Sequence, residues 1–321
     1  MSALLPVLDD AAIERLLRDV DIPRALRAMF ADLHSGAAVQ PAQSLVVFPK
    51  TPGDVITYSG VLEPARMFGV KLSPYIARSG PPLVTAWTLV MSLETGAPLM
   101  LCDARRLTTE RTAATTALAL DLLARPQDQQ LAIIGTGDIA LAHLRHVAAL
   151  RPWTRIAVAS RRTATEPASA FARFTEVDPA VTICRSVDEA VAGASVILLC
   201  TSSGTPVLDP RRLSEPALIT SISTNVARAH EVLPETLPEL DVFCDYRPTA
   251  PLSAGEMVLA EAQHGWSPTA IVADLPELVS GSIRPEVTGR HRFFRSIGLG
   301  LEDIAVAAEI HRALTAAHKD S

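Results

Sequence analysis

Leu131-Ala132-Ile133-Ile134-Gly135-Thr136-Gly137-Asp138-Ile139-Ala140 is the stretch that decides the fold. Apolar residues suited to a buried strand run directly into Gly135-Thr136-Gly137. A segment with helical spacing follows from Ile139 to Leu150, apolar at Ile139, Leu141, Ala142, Leu144, Val147 and Ala148. Strand, glycine turn and helix in that order are the context a G-x-G-x-x-G/A dinucleotide fingerprint requires. Gly135 permits the tight turn, Gly137 lets the backbone approach a pyrophosphate, and Ala140 allows helix and strand to pack closely. Thr136, Asp138 and Ile139 complete the expected cofactor loop. The helix start adds free N–H groups and the positive end of its dipole.

The next strand, Arg155 to Arg162, bears on the choice of nucleotide. An NAD-specific site places a carboxylate at this strand end for the ribose 2′-hydroxyl. Here Ser160, Arg161 and Arg162 stand instead. A hydroxyl and guanidinium groups suit a 2′-phosphate, which arginine meets with forked, charge-assisted hydrogen bonds. The expected cofactor is NADP(H), with NAD(H) as the alternative.

At 321 residues the chain has room for two domains of ordinary size. A hydrophobic share of 48% against 20% charged excludes a disordered protein. The net charge of −6, without a Lys/Arg cluster, argues against a nucleic-acid partner. Cys102, Cys184, Cys200 and Cys244 lie far apart and form no C-x-x-C pair, so no metal site is expected and a reduced, cytoplasmic protein is the simple reading. Met1 to Asp10 lacks a basic signal-peptide start, and no apolar run reaches membrane-spanning length, so no membrane association is expected.

Asp9 to Leu33 reads as helix interrupted near Pro23. Leu45 to Phe48, Asp54 to Tyr58 and Gly69 to Leu72 read as antiparallel strands, continued by Pro82 to Met91 and Leu99 to Asp103. A helix is predicted from Leu107 to about Leu123, with Thr108 or Thr109 as its N-cap. Val181 to Cys184, Val187 to Ala194, Val196 to Thr201, Leu218 to Ser223 and Val242 to Tyr246 then alternate strand and helix or add strands. That pattern means a doubly wound parallel sheet with right-handed crossovers. Pro248 to Glu286 looks irregular enough to be a lid or domain cover. The last helix, about Leu301 to Ala316, is apolar on all sides in its first half and is expected to pack on the first domain.

With these pieces placed, the chain resembles the ornithine cyclodeaminase/μ-crystallin family over nearly its whole length. The likeness is carried by Gly69-Val70-Lys71, Leu107-Thr108-Thr109-Glu110-Arg111-Thr112-Ala113-Ala114 and Ile134-Gly135-Thr136-Gly137. It continues in Cys200-Thr201-Ser202, in Ile222 to Glu231, and in Phe294-Arg295-Ser296-Ile297-Gly298-Leu299-Gly300-Leu301-Glu302-Asp303. The resemblance implies an α/β protein: a Rossmann-type doubly wound sheet (residues 124–300) plus an α+β catalytic and dimerisation domain (residues 1–123 with 301–321), assembled as a homodimer. It also implies that Lys71 lies against the substrate carboxylate and imine and that Arg111 binds the carboxylate beside the cofactor. Thr85, Thr201 and Ser296 fall where the family contacts phosphates or nicotinamide, and Ser221 and Ile222 belong to the same cofactor-facing set.

Two departures from the family pattern shape the expected chemistry. Gln43 stands where many members carry a carboxylate-binding arginine, and Asn225 stands where ornithine cyclodeaminase carries its catalytic aspartate. Cyclodeamination needs a carboxylate to manage protons while ammonia leaves, and an amide cannot do this at neutral pH. Asn225 can still orient a substrate or water by hydrogen bonds. The redox half of the reaction survives, so the expected substrate is a cyclic imino acid, Δ1-pyrroline-2-carboxylate or Δ1-piperideine-2-carboxylate, reduced to proline or pipecolate. The Ser223-Thr224-Asn225 to His230-Glu231 segment resembles the pyrroline-2-carboxylate reductase branch. Ornithine cyclodeaminase, an alanine- or opine-type dehydrogenase, and an NADPH-dependent binding protein like μ-crystallin are the competing readings. His143 and His146 suit surface or packing roles on their helix, and His230 is a weaker proton-donor candidate.

Overall fold

The computed structural model describes residues 5–80, 83–223 and 228–317. Contacts divide the chain into two units, Met1–Thr112 with Leu299–Ser321, and Ala113–Gly298. The first contains β1 (Val7–Leu8), α1 (Asp10–Leu17), α2 (Ile22–Ser35), β2 (Ala38–Val39), β3 (Ser44–Val47), β4 (Gly53–Leu62) and β5 (Met67–Ile76). β6 (Leu83–Val84), β7 (Trp87–Ser92), β8 (Pro98–Asp103) and the start of α3 (Arg105–Leu123) follow. The second holds β9 (Gln130–Ile134), α4 (Asp138–Ala148), β10 (Arg155–Ala159), α5 (Ala172–Val177), β11 (Val181–Ile183), α6 (Val187–Val191) and β12 (Val196–Leu199). It continues with β13 (Leu218–Ser221), β14 (Asp241–Cys244), α7 (Ala250–Ser253), α8 (Gly255–Gln263), β15 (Ile271–Asp274), α9 (Leu275–Ser280) and β16 (Arg292–Arg295). The last helix, α10 (Gly300–Ala317), returns to the first unit.

In the first unit the sheet runs β1-β8-β7-β5-β4-β2, with β3 on β4 and β6 on β5. Its pairs are antiparallel except β1, which runs parallel to β8. β4 and β5 pair without a break from Gly53↔Ile76 to Leu62↔Met67. Gly60 and Gly69 face each other on this ladder. A Cβ on Gly60 would lie 3.0 Å from Leu301, and one on Gly69 2.5 Å from the Leu89 carbonyl and 3.2 Å from Ile304. Missing side chains at these two positions therefore let α10 lie directly on the sheet. α10 is buried on nearly all sides through Ala308, as expected for a helix apolar all round. The helical break expected near Pro23 falls just before it. Asp21 caps α2, and Pro23 sits in the first turn, where a missing N–H costs nothing.

The second unit is a parallel sheet in the order β11-β10-β9-β12-β13-β16-β14-β15. The order reverses between β9 and β12, the switch point at which open α/β sheets bind ligands. Its central strands are fully buried, which explains their continuous apolar runs.

Several expectations are corrected. α3 starts at Arg105, whose N–H is taken by Asp103, so neither Thr108 nor Thr109 is the N-cap. Thr109 bonds back to the Arg105 carbonyl, and Thr108 is used elsewhere. The first division falls inside α3 and not at Leu123. Arg111 bonds to Glu302 and Asp303 in the first unit, whereas Thr116 bonds His143 and the Leu123 carbonyl takes Arg292 in the second. Pro248 to Glu286 is not an irregular lid. It holds α7, α8, β15 and α9, elements too short for their periodicity to register, and α9 carries a full capping box between Asp274 and Glu277. β16, absent from the sequence reading, inserts between β13 and β14.

Gly69→Ala is expected to lower unfolding free energy by about 1–3 kcal/mol, because the new methyl meets backbone and not a flexible side-chain end. Gly80→Ala, with open space around its Cβ, stays within about 0.5 kcal/mol. Denaturant titration of the two variants checks the contrast.

Candidate functional site

In the first unit Tyr58 on β4, Lys71 on β5 and Thr88 on β7 stand side by side across the sheet. Arg111 reaches this row from the second turn of α3, and Glu302 and Asp303 from the first turn of α10, where the helix dipole favours acids. Lys71 Nζ donates to Asp303 Oδ2 at 2.8 Å and lies 4.5 Å from the Tyr58 ring centroid. Arg111 pairs with Glu302 at 2.6 Å and with Asp303 at 3.3 Å, and Thr108 donates to Asp303 at 3.0 Å. Lys71 and Arg111 are only 2% and 4% exposed. The expected pair of cations is thus present, but each already faces a carboxylate of the same unit.

Burial and counter-charge pull in opposite directions here. Burial pushes the Lys71 ammonium down to about 8, against the upward pull of Asp303. For Arg111, burial disfavours the charge but Asp303 and Glu302 together outweigh it and raise the pKa further. Burial likewise opposes charge on Asp303, yet Arg111 and Lys71 hold it below the usual carboxylate range. A lysine titrating about one unit above neutrality is suited to donate a proton at working pH.

In the second unit Gly135 closes β9 with φ +141°, and its Cβ would lie 2.3 Å from the Cys200 carbonyl. Only glycine lets β9 and β12 end this close together. Gly137 is the N-cap of α4, and a Cβ there would meet nothing within 4 Å. Asp138 and Ile139 open the helix. Asp138 is paired with Arg173 at 2.6 Å, which also donates to the Thr136 carbonyl. Thr136 and Ser160 share a hydrogen bond of 3.0 Å, tying the glycine turn to the end of β10. Arg161 is exposed and makes no hydrogen bond or ion pair among the described residues. Arg162 grips Glu166 with both arms, at 2.6 and 2.7 Å. Of the two arginines expected to meet a phosphate, one is therefore already occupied.

Glu231, quoted above only as the end of the family-like segment from Ile222, is a fully buried hub. Its carboxylate accepts from Thr201 N and Oγ1, Ser221 Oγ, Ile222 N and Ser223 N. These donors of Thr201, Ser221 and Ile222 are thus taken up by this carboxylate, which fixes the ends of β12 and β13. Ser296 donates to Asp245, which also takes the N–H groups of Ile297 and Gly298. Arg295, wholly buried, pairs with Glu256 at 2.6 Å and donates to the Ser223 and Ala229 carbonyls. Thr85 is half-buried beside β6 in the first unit and donates its N–H to Pro74. Asn225 lies outside the described residues. His143 is a core residue bonded to Ile139 and Thr116, and His230 bonds the Arg228 carbonyl.

The acids that sequence reading missed had a signal. Glu302 and Asp303 interrupt a run of apolar helix, and buried carboxylates there require partners. The open start of α4, the space at Gly137 and the unpaired Arg161 fit a dinucleotide with its phosphates on the helix end. Among the described residues no group of three or more His, Cys, Asp or Glu could hold a metal ion, and no helix is long and apolar enough to cross a membrane.

The Ornithine cyclodeaminase/mu-crystallin family model matches residues 6–318. The chain is 53% identical over 319 residues to an NAD(P)H-dependent anabolic L-arginine dehydrogenase of Pseudomonas aeruginosa, covering 97% of this chain and 98% of that protein. It is 28% identical over 225 residues to a Delta(1)-pyrroline-2-carboxylate reductase of Colwellia psychrerythraea, 69% of this chain and 71% of that one. Among solved structures it resembles the Thermococcus litoralis Delta(1)-pyrroline-2-carboxylate reductase in complex with NADH and L-proline, with TM-score 0.87, 23% identity and 98% of each chain covered. With its fold and nearly its whole length matched in this way, the chain belongs to the ornithine cyclodeaminase/mu-crystallin family.

Proposed function

We propose that this protein is an NAD(P)H-dependent oxidoreductase that reduces the C=N bond of a 2-imino acid with a basic side chain, forming L-arginine or a close analogue. The observation that carries this reading is the 53% identity, over nearly both full lengths, to an L-arginine dehydrogenase described as anabolic. The imine arises when ammonia condenses with the 2-oxo acid and water leaves. When bound, the reduced dinucleotide supplies the hydride that the imine carbon accepts while the C=N electron pair passes to nitrogen.

In this reading the residues of the chain divide the work. Arg111 orients the substrate carboxylate, its guanidinium held in place by Glu302. Lys71 gives its proton to the imine nitrogen, making the carbon a better electrophile, and Asp303 aims the ammonium. Fixing the acid in one orientation removes much of the entropic barrier, an effect worth several kcal/mol in favourable cases. Gly137 and the start of α4 receive the pyrophosphate, and Arg161 meets a 2′-phosphate. The amide at Asn225 favours reduction over ammonia-releasing cyclisation.

The cyclic ketimine acids form a second reading, supported by the pyrroline-2-carboxylate reductase at 28% identity. A homodimer belongs to the same proposal. Val46 and Leu72 stand exposed on the sheet face turned away from α10, apolar surface that a second copy would cover. Four buried, free cysteines suit a reduced cytoplasmic setting.

The assay mixes the protein with NADPH and, separately, 5-guanidino-2-oxopentanoate plus ammonium, Δ1-pyrroline-2-carboxylate and Δ1-piperideine-2-carboxylate. Ammonium-dependent NADPH loss with the guanidino acid is the expected result. Turnover of the ring imines alone would favour the second reading. Because the proton donor must be charged, kcat/KM for reduction is expected to fall as pH rises through about 8. Asp303→Asn removes an upward pull on Lys71 and moves that fall to lower pH, which a pH–rate profile reads directly. Arg161→Asp is expected to shift preference toward NADH by roughly tenfold or more, whereas Arg162→Asp leaves it nearly unchanged because Glu166 already holds that side chain. The ratio of kcat/KM for the two cofactors checks both.

A further inference from the structure

Asp54 is a carboxylate that the fold does not use. It sits second in β4, half-buried, and takes part in no hydrogen bond or ion pair among the described residues. The unbroken β4–β5 register places it on the same sheet face as Tyr58 and Lys71, the face that carries α10. Across the sheet it forms one transverse row with Val47 on β3, Tyr75 on β5 and Val84 on β6. Ile56 and Ser73 occupy the row between that and the Tyr58–Lys71 row. The charge on Asp54 is among those that raise the Tyr58 hydroxyl pKa, after burial and with Asp303, so the two rows sense one another electrostatically.

Resting on the reading of the substrate as a basic 2-imino acid, we propose that Asp54 is the residue that selects its cationic side chain, with Tyr75 and Val47 flanking the guanidinium. The two rows are four residues apart along β4, about 14 Å at the rise of an antiparallel strand. An arginine-like skeleton measures roughly 8 Å from carboxylate carbon to guanidinium carbon at ordinary bond lengths. A hydrogen bond of about 3 Å at each end brings its reach to about 14 Å. A five- or six-membered ring acid, roughly half as long, cannot touch both rows. Val47 and Tyr75 are exposed, and an aromatic ring beside an unpaired carboxylate suits a planar cation, which pairs with the carboxylate and stacks on the ring face.

The test compares the wild-type protein with Asp54→Asn and Asp54→Glu, each with NADPH, ammonium and either 5-guanidino-2-oxopentanoate or 2-oxopentanoate, a neutral analogue. Asp54→Asn is expected to raise KM for the guanidino acid roughly tenfold or more, the loss of one charge-assisted pair, with kcat nearly unchanged. KM for 2-oxopentanoate should not move, and Asp54→Glu should restore part of the loss. Equal effects on both substrates, or no effect on either, would overturn the role of Asp54 while leaving the proposed activity standing. A wild-type protein inert toward the guanidino acid would remove the proposed activity itself, and this inference with it. Sedimentation of each variant separates these outcomes from a change in assembly, and a KM change that tracks an altered mass would also count against Asp54.

Discussion

Asp303 is the constraint on which the first unit turns. Its two oxygens meet Lys71, Arg111 and Thr108, which come from a central strand and from α3, while Asp303 itself starts the helix that covers the sheet. Such buried ion clusters rarely add much stability, since desolvation offsets most of the attraction, but removing one member leaves another charge unpaired. The arrangement therefore acts more through specificity of geometry than through folding energy. It also leaves a signature. Because Lys71 is held below its ordinary pKa, the unfolded chain binds more protons than the folded one between about 8 and 10.5. Stability rises with pH across that window as the buried ammonium is relieved of its charge.

The second unit solves a different problem, satisfying the polar groups where its parallel strands end and the loops after them begin. Glu231 collects five donors from the ends of β12 and β13, and Asp245 does the same for the turn after β16. These carboxylates satisfy loop N–H groups that would otherwise be orphaned next to the sheet. Gly135 completes the arrangement by allowing β9 and β12 to converge. The groups left over, the start of α4, Gly137 and Arg161, are the ones suited to a dinucleotide.

The parallel sheet was legible because its strands are continuous apolar runs and its glycine turn has a fixed spacing, both local signals. Lys71 and Arg111 were legible through the family-like segments that carry them, and both side chains meet Asp303. Their counter-ions were not, because Asp303 lies 232 positions from Lys71 and no local pattern links them. Thr201, Ser221 and Ser296 were read as ligand contacts, whereas their hydroxyls serve buried carboxylates. Sequence proximity to a motif cannot tell a donor that faces a ligand from one that faces the protein. The segment from Pro248 to Glu286 failed for a simpler reason, since prolines punctuate helices too short to show a period. The preference for a cyclic substrate rested on Asn225 and on likeness to the pyrroline-2-carboxylate reductase branch, neither of which reads the side chain of the substrate, and the 53% relative moves the proposal to a basic acyclic one.

The most direct measurement is an NMR titration of the Lys71 side-chain nitrogen in the folded protein, assigned by comparison with Lys71→Arg. A midpoint near 8 is what a buried ammonium facing Asp303 requires. A midpoint near 10.5, the value of a lysine in water, would contradict the buried cluster and the proton-donor role built on it.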